Sequence, residues 1–98
     1  MKHMQPSDIV RRLRCASGHL NAVIEMAETE RSCEQVLYQL NAVRSELDAV
    51  LVRVLICQLQ KSEELILHST SSQLRASELK RLQSLYVMCK HRVSLQPR

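Results

Sequence analysis

Four cysteines and four histidines carry the donor atoms from which this 98-residue chain could build a thiol or metal site, and their spacing limits what they can share. Cys15, Cys33, Cys57 and Cys89 stand 18, 24 and 32 residues apart, so no C-x-x-C pair suggests a zinc knuckle. Cys89 and His91 are two apart, where helical side chains diverge and chelation is poor. There is no H-E-x-x-H, no G-x-S-x-G and no Gly-rich phosphate loop, so an enzyme is not expected. A helical protein needs no disulfide framework, and the thiols are expected to be reduced and mostly apolar filler.

The elements that must position these residues are helices. One Gly, two Pro, two Tyr, no Trp and no Phe cannot supply the turns and aromatic strands of a sandwich or barrel, while 45% hydrophobic residues suffice for a few long helices. The expected fold is all-α, a single domain over residues 1–98. Helix one is expected over about 7–28, with Ser7 as N-cap and Asp8 at the positive helix end. Ile9, Leu13, Ala16, Leu20, Val23 and Ala27 form its apolar stripe. Gly18 interrupts it at a cost of about 1 kcal/mol relative to Ala, which a close helix approach would offset; a slight bend is the alternative.

Ser32-Cys33-Glu34-Gln35 matches the capping-box pattern and starts helix two, expected over about 33–67, roughly 50 Å at 1.5 Å per residue. Val36, Leu40, Val43, Leu47, Val50, Val54 and Cys57 make one apolar line along it, which places Cys57 as core rather than reactive partner. Leu37, Leu51, Leu55, Leu59 and Ile66 add a second line, wider than one helix can cover, and that surplus points to self-association. After a break at His68–Ser72, helix three is expected over about 73–92, with Leu74, Glu78, Leu82, Leu85 and Cys89 on one line. Glu78 is the exception on that line. It is either a stripe edge with its tip in water or a buried, partnered carboxylate. The tail from Val93 to Arg98 is expected to fray.

Charge is distributed unevenly. Residues 1–14 set four cations against Asp8 and residues 75–98 set six against Glu78, whereas residues 15–74 carry eight carboxylates and four cations. Two basic ends around an acidic centre suit a polyanionic partner, although a solvated basic surface would look the same. No apolar run is long enough for a transmembrane span or a signal-peptide core, so a soluble, cytoplasmic protein with no membrane partner is expected.

Arg12-Leu13-Arg14, Ser17-Gly18-His19-Leu20 and the run from Cys33 through Glu34-Gln35-Val36-Leu37-Tyr38-Gln39-Leu40-Asn41-Ala42-Val43 to Arg44 carry a resemblance. They are similar to the CsoR/RcnR/FrmR family of small all-helical repressors, whose pattern is R-L-x-x-x-x-G-[HQ] followed fourteen residues later by Cys and V-L-x-Q-[IL]-x-A-V-[RQ]. The match is ungapped from about Arg11 to Glu78. It implies a dimer in which the first two helices form an antiparallel four-helix bundle, dimers pairing into a tetramer, and operator DNA bound on a flat basic face. DNA is released when a small effector binds between protomers. By matched position Arg12 contacts DNA, with Arg11 and Arg14 beside it and Arg44 and Arg53 as contributors from helix two; each could instead be an ordinary surface arginine.

The effector site is where this chain departs from the resemblance. Metal-sensing relatives follow the helix-two Cys with a His 25 residues on and a Cys or His 29 residues on, taken from the partner protomer. Counting from Cys33 gives Gln58 and Ser62, and neither amide nor hydroxyl is a serious ligand for copper(I) or nickel(II). Glu78 falls where copper sensors keep an outer carboxylate, and Ser32 replaces a Tyr found in some of them. Three functions follow. The first is a repressor whose input is thiol chemistry at Cys33, with formaldehyde, a persulfide or another electrophile; a helix N-terminus favours the reactive thiolate. The second is a copper- or nickel-sensing repressor with a rebuilt ligand set of Cys33, His3 and His19, although a native start at Met4 would remove His3. The third is an interaction module of the same fold that senses no effector.

Overall fold

A computed structural model describes residues 6–91 as three α-helices with no strand among them: α1 (Pro6–Glu28), α2 (Cys33–His68) and α3 (Ser72–Cys89). His3 and the expected fraying tail lie outside the described residues. The contacts gather into two compact units, one made by α1 with α2 up to Val50, the other by α2 from Leu51 together with α3.

In the first unit the chain enters α1 one residue earlier than expected. Pro6 is already helical and Ser7 lies inside the first turn, so Ser7 is not the N-cap. Proline suits the first helical position because its missing N–H would have no intrahelical acceptor there. At the other end, the Arg31 N–H reaches the Met26 carbonyl at 3.1 Å and the Glu30 N–H reaches that of Ala27 at 3.3 Å. This is a Schellman closure, and it forces Glu30 into the left-handed region at φ 57°. The Ser32 hydroxyl accepts from the Gln35 N–H at 3.3 Å, so the expected N-cap of α2 is present. With only four residues between them, α1 and the start of α2 form an αα-hairpin.

Ala16, Val23, Val43 and Val50 are the buried apolar residues of this hairpin, one small or β-branched side chain every seven residues on each helix. The larger members of the same stripes, Leu13, Leu20, Leu40 and Leu47, remain 39–46% exposed. A Cβ built on Gly18 would meet nothing within 4 Å. The expected close approach at Gly18 is therefore not made by any described part of the chain, and the buried residues of α1 are Ala16 and Val23 instead.

In the second unit Ser71 caps α3, its hydroxyl accepting from the Leu74 N–H at 3.2 Å. Arg75 Nη1 donates to the Ser69 carbonyl at 2.7 Å and fixes the connection from α2. Helix α3 ends at Cys89, short of the expected 92. The buried residues here are Cys89, Ser62 and Glu78, and Ser62 is only 1% exposed, so polar groups sit at the centre of this unit.

Candidate functional site

Gln58 and Ser62 are one helical turn apart on α2, which puts both on the face covered by α3. Gln58 Nε2 donates to Ser62 Oγ at 3.1 Å, and Ser62 Oγ donates to Glu78 Oε2. One turn further along α3, Arg81 closes on the same carboxylate as a fork, Nε to Oε1 at 3.1 Å and Nη2 to Oε2 at 2.7 Å. Of the two alternatives for Glu78, the buried and partnered one is what the fold makes. The guanidinium of Arg81 and then the hydroxyl of Ser62 hold the Glu78 carboxyl below its ordinary pKa, against the opposing effect of burial. Beside the cluster, Gln58 and Arg81 border an otherwise apolar cavity of about 360 Å³ walled by Leu51, Val54, Leu55, Leu85, Met88 and Cys89.

Cys33 belongs to the other unit, where it is exposed at the first residue of α2. It stands 25 residues before Gln58 in the sequence. Cys57 is half-buried, Cys15 exposed and Cys89 buried; all four thiols are free.

The hairpin holds His19 and four of the arginines singled out in the sequence, Arg11, Arg12, Arg14 and Arg44. His19 uses both ring nitrogens, Nδ1 with Glu46 Oε2 and Nε2 with Gln39 Oε1 at 2.9 Å. Gln39 first and Glu46 second raise its pKa, since a ring bonded to two acceptors is favoured as the imidazolium. Arg11 and Arg14 are exposed on α1, Arg11 3.9 Å from Asp8, and Arg44 is exposed on α2. Arg12 is half-buried with an Nε that has no partner among the described residues, and in the other unit Arg53 is the same.

One Cys–His pair stands at a helical spacing that the expectations from the sequence did not include. Cys15 and His19 are four apart on α1, the spacing of a helical chelate, and a plain count of Cys–His intervals finds them. His19 is nevertheless committed to Glu46 and Gln39, and Cys15 lines a shallow cavity with Ser7, Val10, Arg11 and Arg14. The cluster around Arg81 could not have been read so easily, because Glu78 and Arg81 are an ordinary i, i+3 surface pair until α3 is laid on Ser62.

Among the described residues no three His, Cys, Asp or Glu side chains stand together as a metal set. At the cluster the donors are an amide, a hydroxyl and one carboxylate already neutralised by a guanidinium, a set that does not fit a transition metal that prefers thiolate and imidazole. No helix in the described residues is long and apolar enough to cross a membrane.

The sequence profile of a family described as metal-sensitive transcriptional repressor matches residues 5–86. No curated protein and no solved structure matches the chain. The family is one of repressors and not of enzymes. With the match running from the start of α1 to near the end of α3, the chain belongs to the metal-sensitive transcriptional repressors.

Proposed function

We propose that this chain is a DNA-binding repressor, working as a homodimer or homotetramer, that releases its operator when thiol chemistry occurs at an inter-protomer site around Cys33. The observation that carries this reading is the closure of the Gln58–Ser62–Glu78 cluster by its own hydrogen bonds, which leaves the exposed Cys33 sulfur as the reactive group at an expected effector position. The resemblance to metal-sensing relatives supports an effector site in which Cys33 and Gln58 come from two chains. The leucines left exposed on the α1–α2 hairpin support such pairing, and the four-helix bundle is the arrangement that would bury them.

Two balanced reactions are available to Cys33. Its thiolate can add to the carbonyl carbon of formaldehyde, forming a C–S bond while the carbonyl electron pair takes a proton to give the S-hydroxymethyl adduct. It can also attack the terminal sulfur of a low-molecular-weight hydropersulfide, breaking that S–S bond, expelling the thiolate and leaving a cysteine persulfide. Either adduct changes contacts between protomers and so shifts the population that fits DNA. On the DNA side Arg12, Arg11, Arg14 and Arg44, with Arg53, are the proposed phosphate contacts. Replacing Arg12 by Ala should weaken operator binding and reduce the slope of log K against log salt by about 1.

The test is mass spectrometry and operator gel shift on wild type and Cys33→Ser after exposure to formaldehyde or to a hydropersulfide. Modification at Cys33 with loss of DNA binding, absent in Cys33→Ser, is expected. Unmodified Cys33 with unchanged DNA binding would sink the thiol reading. The family description favours a second reading, a copper or nickel sensor built on Cys33 with His3 and His19. That reading requires tight metal binding that disappears in Cys33→Ala.

A further inference from the structure

We propose that Arg81 is the built-in cation of the Gln58–Ser62–Glu78 cluster, and that its positive charge is what closes this cluster to metal ions. The donor chain runs one way, Gln58 to Ser62 to Glu78, and ends on a single buried carboxylate. A buried carboxylate needs a positive partner, and Arg81 supplies it with two donors in fork geometry. Both oxygens of Glu78 are thereby occupied: Oε1 accepts from Arg81, and Oε2 accepts from Arg81 and Ser62. A metal approaching Glu78 would have to displace a bidentate guanidinium and would meet its like charge. The same fork ties α3 to the α2 residue beneath it through Ser62, without any effector. Arg81 is thus a specificity-determining residue of a chain whose family is metal-sensitive. This inference does not depend on thiol chemistry at Cys33.

The experiment exchanges the cation for a ligand. In full-length protein carrying Cys33→Ser, so that its thiol contributes nothing, Ni(II) and Zn(II) binding is measured by calorimetry for Arg81→His, for Arg81→Lys and for the parent. Arg81→His leaves a Glu-x-x-His pair on one face of α3, the spacing that carboxylate-bridged metal proteins use. It should gain one metal per chain, at least about 100-fold tighter than the parent, and lose it again when Glu78→Gln is added. Arg81→Lys retains a point charge but not the fork, and should remain closed. Circular dichroism shows which variants are folded, and if Arg81→His is not, Arg81→Lys and the parent still decide the matter. Metal binding by the parent that Glu78→Gln abolishes would overturn the proposal, as would Arg81→Lys binding as tightly as folded Arg81→His, or folded Arg81→His binding nothing.

Discussion

Two titratable residues, Glu78 and His19, give the molecule opposite pH responses. Glu78 has its pKa lowered, first by Arg81 and then by Ser62. Its stabilising contribution is therefore complete above the unfolded carboxylate value of about 4.3 and is lost as the pH falls through the lower folded value. The urea midpoint of wild type should drop on acidification below that range, and Glu78→Gln should be less stable at neutral pH but less sensitive to acid. His19 has its pKa raised by Gln39 and then Glu46. Its contribution is complete below the unfolded value of about 6.5 and is lost as the pH rises through the higher folded value. Midpoints measured upward from pH about 6 should decline in wild type, and the decline should flatten in His19→Gln, which keeps polarity but cannot carry the charge.

At the scale of the element, the ends and interruptions of the helices make the sharper predictions. Glu30 closes α1 in a left-handed conformation that costs a side chain about 1 kcal/mol, and glycine adopts it freely. Glu30→Gly should therefore raise stability by about 1 kcal/mol or slightly less, read from chemical denaturation, since the Schellman bonds are made by backbone alone. Gly18 is the converse case. A methyl group there meets only open space, so Gly18→Ala should stabilise α1 by about 1 kcal/mol. A loss of stability instead, accompanied by a loss of self-association in sedimentation, would mean that a second chain uses the gap.

At the scale of the whole molecule, exposed apolar surface is the dominant fact. Leu13, Leu20, Leu40 and Leu47 lie on the same stripes as the buried alanine and valines yet stay in solvent. A stripe half covered within one hairpin leaves apolar surface that a second hairpin would bury in the proposed pairing. Leu47→Glu should leave each chain helical by circular dichroism while shifting sedimentation from the assembled form to the monomer, and operator affinity should fall with it, because adjacent basic surfaces then no longer act together.

The sequence by itself determined the three helices, the capped start of α2 at Ser32, the break before Ser72 and the apolar surplus, because periodicity, capping and scarce glycine are local properties of the chain. The family resemblance marked Cys33, Gln58 and Ser62 as positions of interest, and Glu78 stood out on its apolar line as well. The sequence placed the entry to α1 one residue late, since Ser7 and Pro6 compete for the same turn and proline at the first helical position won. What only the tertiary structure decided was the state of those positions. Burial of Glu78 against Ser62, its neutralisation by Arg81 and the double bonding of His19 each join residues at least 16 positions apart, apart from the final Glu78–Arg81 link. Whether a polar side chain on a helix faces water or a partner depends on which helix covers it, and that is a property of packing rather than of spacing.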